Sequence, residues 1–207
     1  MWDYKIAKNA LESTLSQTGA DYIKIVDTNT MRLPTSDRLD KLGIPYDHIN
    51  ESEVEGGEEY AAIVGDGTTF SFMLNNKLKT VVLVRDFLDD LDEYDGHRYV
   101  LMLMVLVHEL MHSKDIKKQL NFKNGLIKNP TQGGLVNAEV YAECNAIKWL
   151  GKVGGFYSDV RDYYVWMLLR RASDNEVYRL VVNGAQRKFG EKKLYGWANN
   201  YHQTLLN

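Results

Sequence analysis

The chain is poor in the residues that staple, stiffen or anchor a fold. It has one cysteine, Cys144, and three prolines in 207 residues. A lone cysteine cannot close an internal disulfide, so a cystine-braced secreted scaffold is excluded, and an intracellular, cytoplasmic setting is expected. The first residues, Met1-Trp2-Asp3-Tyr4-Lys5, also lack the basic, apolar and small-residue succession of a secretory signal. No apolar run reaches the roughly 20 residues of a membrane span. The longest, Tyr99 to Val107, runs straight into His108 and Glu109, so no membrane association is expected. Basic excess is missing too: the formal net charge is -3, which provides no general field for nucleic acid. What remains, with 44% hydrophobic and 26% charged residues, is the composition of a soluble globular protein. At this length one domain, residues 1–207, can bury its core without staples.

Apolar spacing predicts a first helix from about Trp2 to Gln17, a strand over Asp21 to Asp27, and a short helix capped by Thr35-Ser36-Asp37 and ending at Gly43. Pro45 to Glu59 reads as loop. Three β-like runs follow, Tyr60 to Val64, Thr68 to Leu74 and Leu78 to Val84, separated by Gly65-Asp66-Gly67 and Asn75-Asn76-Lys77, which predicts an antiparallel meander. After the acidic stretch Asp86 to Asp95 the pattern turns helical, with helices near 97–115, 134–150, 158–171, 174–188 and 196–206. Gly151, Gly154 and Gly155 are placed to end one of these helices, and Ser173-Asp174-Asn175-Glu176 fits a capping box for another. Strands first and helices after predict an α+β fold. A helix and a small antiparallel or mixed sheet occupy 1–95, and a mainly helical half occupies 96–207.

The chemistry is concentrated in His108-Glu109-Leu110-Met111-His112, an HExxH sequence. Positions i and i+4 share a helix face, so His108 and His112 can direct two imidazole nitrogens at one zinc ion. Glu109 lies about 100° around the axis, where its carboxylate can take a proton from a water activated by the ion. Five histidines in the whole chain make an accidental HExxH rare. The preceding turns, Val100 to Val107, are apolar all round, which predicts a helix buried on several sides. Two histidines and a carboxylate on such a helix need polar partners.

A third zinc ligand is required. The long three-histidine pattern would place a histidine at position 118, which is Lys118, so that class is excluded. His202 is the one histidine downstream of His112, and it would need the C-terminal tail to fold back. The stronger candidates are Glu139 and Glu143, one turn apart on the predicted helix that also carries the small-residue stripe Ala138, Ala142 and Ala146. One carboxylate can hold the ion while the other accepts from the far nitrogen of a ligand histidine. Cys144 points away from that face and reads as a small buried hydrophobe. His48 and His97 have no ligand-like spacing, and the acidic stretch 86–95 lacks the order of a calcium loop, so it reads as a solvated loop.

HELMH followed by Glu139-Val140-Tyr141-Ala142-Glu143-Cys144-Asn145-Ala146 resembles the gluzincin metallopeptidases, the thermolysin clan, and in its Glu-x-x-Ala rhythm the small ImmA/IrrE-like metallopeptidases of phages and mobile elements. The resemblance covers residues 97 to 150. It implies a zincin-like fold and one zinc ion held by His108, His112 and Glu139. It further implies Glu109 as the catalytic base and Glu143 as the outer partner of a ligand histidine. The position of Glu143 is usually Asp or Asn in that clan, which leaves the exchanged assignment, Glu143 on zinc and Glu139 behind, open. The resemblance also implies a peptide or protein substrate held along an edge strand, for which Lys79 to Val84 is the local counterpart, although an internal strand fits those residues as well. An oxyanion-stabilising residue is expected among Tyr157, Arg161, Tyr163, Tyr164 and His202. The reading is a zinc-dependent hydrolase, a peptidase; its alternative is a non-catalytic zinc-containing binding or regulatory protein.

Overall fold

A computed structural model describes residues 2–17, 19–26, 66–74, 77–87, 95–122 and 132–206. Six helices and three strands are defined among them: α1 (Tyr4–Ser16), β1 (Tyr22–Val26), β2 (Gly67–Leu74), β3 (Lys77–Arg85), α2 (Asp95–Phe122), α3 (Gln132–Val153), α4 (Phe156–Asp174), α5 (Glu176–Phe189) and α6 (Glu191–Leu206). The expected α+β order is present, with a small sheet ahead of a helical half. The expected helix ending at Gly43, the loop 45–59 and the run 60–64 lie outside the described residues.

The sheet has the order β1-β3-β2, with β1 parallel and β2 antiparallel to β3. The Thr68 to Leu74 and Leu78 to Val84 runs pair antiparallel as the meander expects, and β1 joins the opposite edge of β3 in parallel, so the sheet is mixed, one of the two expected forms. Strand periodicity encodes that a strand exists, whereas its partner is set by non-local pairing. Val81, Val82, Leu83 and Val84 are all buried, as the continuous apolar run of a central strand requires. The same centrality corrects the expected substrate strand. Both edges of Lys79 to Val84 are already hydrogen-bonded, so no peptide can add there.

Helix α2 runs through the middle of the molecule, packed against α1, α3, β2 and β3. Val100, Leu103, Leu106 and Val107 are buried to within 1% of complete exclusion, which explains why this helix shows no polar face until His108. Polar pins fix it to the sheet: the buried Ser113 hydroxyl donates to Thr80 Oγ1 at 3.0 Å, and Lys117 reaches the Gly19 carbonyl. Asp86 and Arg98 form a bidentate pair at 2.7 Å, so the first residue of the acidic stretch is a tether and not a free solvated charge.

Helix ends follow local chemistry, with two corrections. Asp3 caps α1 by accepting from the Ile6 N–H at 2.8 Å. Ser173 does not open a capping box, because α4 continues through Asp174; Asn175 is the cap of α5 and accepts from Val177 and Tyr178. Gly151 lies inside α3, and the chain leaves that helix at Gly154 and Gly155, both with positive φ.

Two stability tests follow. A Cβ at Gly184 on α5 would lie 2.6 Å from Val140 Cγ1 on α3. Gly184→Ala is therefore expected to cost ~1–3 kcal/mol by overpacking, although alanine favours helix, as read from denaturant midpoints. Burial raises the Asp21 carboxyl, but the Thr80 N–H, Lys79 and Lys117 outweigh it and hold the pKa at about 2, against 3.8 when unfolded. A carboxyl depressed by folding stabilises above its unfolded pKa and loses that contribution as pH falls through its folded one. The stability gap between wild type and Asp21→Asn should thus be full above about pH 4 and close towards pH 2 in thermal melts.

Candidate metal centre

Burying the apolar stretch of α2 in the core brings the following turn to the crossing with α3, where His108, His112 and Glu139 meet. Their ligand atoms all lie within 4.8 Å of one another. The two Nε2 atoms are 2.9 Å apart, and the Glu139 carboxylate straddles them, with Oε2 at 3.4 Å from His108 Nε2 and Oε1 at 3.3 Å from His112 Nε2. Bonds of 2.0–2.2 Å around a tetrahedral ion would set donor atoms about 3.3–3.5 Å apart. The two distances to the carboxylate oxygens fall there and the Nε2–Nε2 separation is shorter, and the donors are the two imidazoles and one carboxylate that a transition-metal ion accepts with a coordination position to spare.

Glu143 occupies the other side of His108. Its Oε1 is 3.6 Å from His108 Nδ1, and its side chain is 4% exposed, against 34% for Glu139. The Tyr164 hydroxyl, on α4, sits 3.0 Å from the same Nδ1 and is hydrogen-bonded to Glu143. The two glutamates therefore divide: Glu139 joins the Nε2 atoms at the pocket, and Glu143 lies behind the ring. On α3 the same face continues through Ala142 and Ala146, both fully buried, so small side chains accompany the close approach to α2.

The electrostatics of this arrangement favour a cation. Burial alone would lower the His108 pKa, yet Glu143, Glu139 and Glu109 together raise it to about 9. Glu139 is opposed by its own burial, but hydrogen bonds and charge from His108 and His112 hold it well below the usual carboxylate range. Glu143 is pushed up, chiefly by burial. Its Oε2 is buried without a hydrogen-bond partner. This excess of carboxylates over the two imidazoles favours positive charge at the Nε2 side.

Glu109 is 7% exposed and lies beside β2, where the Thr69 hydroxyl contacts its carboxylate. A pocket of about 390 Å³ opens from His108, Glu109 and Glu139. Leu101, Met104, Met167 and Leu168 make an apolar wall, and Asp66, Arg171 and Tyr178 add polar groups. Arg171 is paired with Asp66 at 3.2 Å and lies over the Tyr178 ring at 5.7 Å.

Of the other sequence candidates, His202 is exposed on α6 and outside the metal-binding group, and the buried Cys144 is also outside it, its thiol pushed up to about 11 by burial. Tyr157 donates to the Ala10 carbonyl, Arg161 pairs with Asp162, and Tyr163 meets His97; none of the three lines the pocket. Tyr164 lines it, with its hydroxyl turned to His108 and Glu143. Thr69, Asp66, Arg171 and Tyr178 were not singled out by the sequence. Only the Gly-Asp-Gly turn composition marks this neighbourhood, and it reads equally well as a plain hairpin. Comparison with known proteins finds no matching family model, no similar curated protein and no similar solved structure.

The geometry yields one test: the full chain should bind a single divalent transition-metal ion, with His112→Ala abolishing stoichiometric binding. Metal analysis and melting curves check it. At a thousandfold excess of ion over Kd, wild type should gain about 4 kcal/mol and the variant nothing.

Proposed function

We propose that this chain is a zinc-dependent hydrolase with a zincin-like, gluzincin-type site, and that its substrates are peptides or proteins. The observation that carries the reading is the triangle of His108 Nε2, His112 Nε2 and the Glu139 carboxylate, with Glu109 beside it on a pocket that reaches the same atoms. His108, His112 and Glu139 would hold the ion. Zinc, when bound, supplies a Lewis acid that polarises a carbonyl and lowers the pKa of water to about 7.

The chain's own residues supply the rest. Glu109 is the base: it accepts the proton of the attacking water and returns it to the leaving nitrogen. Glu143 and Tyr164 hold the Nδ1 side of His108, which fixes the ring orientation and leaves Nε2 for the ion. The wall of Leu101, Met104 and Leu168 excludes water from one side of the reacting groups and strengthens the electrostatics there. The pocket also favours catalysis over the alternative of a closed structural zinc site in a binding or regulatory protein: Glu143, the obvious fourth ligand, faces Nδ1 instead of joining the group. Among the described residues β2, and not β3, is the sheet edge beside α2 and so replaces Lys79 to Val84 as the strand along which an extended substrate would lie.

The test is Glu109→Gln in the zinc-loaded chain, assayed against a fluorescence-quenched peptide mixture. Hydrolysis should fall by roughly 10²–10⁴-fold with one zinc retained per chain. Undiminished hydrolysis in this variant would remove Glu109 from the mechanism, and a zinc-loaded wild type that cleaves nothing would favour the non-catalytic reading.

A further inference from the structure

We infer that Thr69 is a positioning residue for Glu109, and that together with Gly67 it decides which carboxylate oxygen takes the proton; the inference rests on the hydrolase reading above. Strand β2 pairs Gly67 with Val84 and Thr69 with Val82, so these alternate residues share the sheet face that carries Val82 and Val84 into the core beneath α2. That face meets Glu109. The Thr69 Oγ1 lies 2.7 Å from Glu109 Oε2 and 2.9 Å from the Glu109 carbonyl oxygen.

An ionised carboxylate only accepts hydrogen bonds, so Thr69 is the donor. The contact to Oε2 is the shorter and falls in the range of charge-assisted O–H···O⁻ bonds. One hydroxyl thus grips the backbone and the side-chain end of the same residue. That hydroxyl has one hydrogen, so the flexible torsions of Glu109 are tethered through a single point on a strand that is itself held by β3.

Gly67 supplies the complementary half. A Cβ there would sit 2.9 Å from Glu109 Cγ, 3.0 Å from Oε1 and 2.5 Å from Val105 Cγ1, distances at which the glutamate would have to move. With glycine the glutamate side chain can approach the strand closely. Oε2 is engaged by Thr69, and Oε1 is the oxygen left beside Gly67, a residue of the pocket lining. Oε1 is therefore the acceptor. The O–H bond of the attacking water breaks with its electron pair left on oxygen, which forms the new bond to the carbonyl carbon; the proton goes to Oε1 and later passes to the nitrogen, which leaves with the electron pair of the broken C–N bond. No further reactant is needed.

Thr69→Val keeps shape and removes the donor, Thr69→Ser keeps the donor, and Gly67→Ala crowds Oε1. In the zinc-loaded chain on the fluorescence-quenched peptide mixture, Thr69→Val should lower kcat roughly 10–100-fold, the scale of losing an outer hydrogen-bond partner. KM should stay within about twofold, and zinc content should be unchanged. Thr69→Ser should restore kcat, and Gly67→Ala should lower it. A second readout needs neither metal nor turnover: in protein carrying [13C]glutamate, the Glu109 carboxyl resonance, identified by its loss in Glu109→Gln, should move in Thr69→Val and return in Thr69→Ser. An active wild type with Thr69→Val equally active, or a Glu109 resonance unmoved by that change, overturns the clamp alone. A zinc-loaded wild type without hydrolysis overturns the catalytic reading and the clamp with it.

Discussion

The site depends on one imbalance of charge. Glu109, Glu139 and Glu143 gather around the paired imidazoles of His108 and His112, so the carboxylates outnumber the rings that could balance them. Water would normally screen such a cluster, but a buried group must be matched by a partner or a proton. The chain meets the demand partly by a raised proton affinity at His108 and at the buried Glu143. An ion at the Nε2 triangle would meet it fully. The rest of the architecture keeps the carboxylates from escaping to solvent: α2 is gripped by the sheet, α3 lies against it, and Tyr164 of α4 closes the back.

Much of this was legible in the residues. HExxH places two imidazoles on one face by helical geometry alone, and a glutamate pair one turn apart needs only a neighbouring helix to reach them. The apolar run before His108 announced burial, and Val100, Leu103, Leu106 and Val107 within it are almost wholly excluded from solvent. The separate positions of Glu139 and Glu143 were suggested only by the resemblance, not by the residues themselves. Their spacing is the same from either end, and only the depth to which α3 carries each one distinguishes them.

What the sequence concealed has a common cause. Thr69 has no pattern of its own, because a threonine on a strand is ordinary and its importance comes from a neighbour 40 positions away. Arg171 and Tyr178 face each other across two helices, and Asp66 sits in a turn whose composition describes only the turn. The parallel placement of β1 was hidden for the same reason: alternation specifies a face, and the partner is chosen by the assembled core.

That placement bears on how the molecule is assembled. Tyr22 pairs with Val81, 81 − 22 = 59 positions apart, whereas β2 and β3 are neighbours along the chain, and His112 and Glu139 are separated by 139 − 112 = 27. Loop closure grows only logarithmically in cost, so the difference between the two longer separations is below ~1 kcal/mol at equilibrium. The rate is more sensitive, because distant pairings slow folding. The hairpin and the helix pair that hold the site are the short-range halves of the molecule, and β1 is the long-range closure. A chain still emerging from the ribosome would have to carry its first strand unpaired until β3 arrived, and its first helix until α2 did.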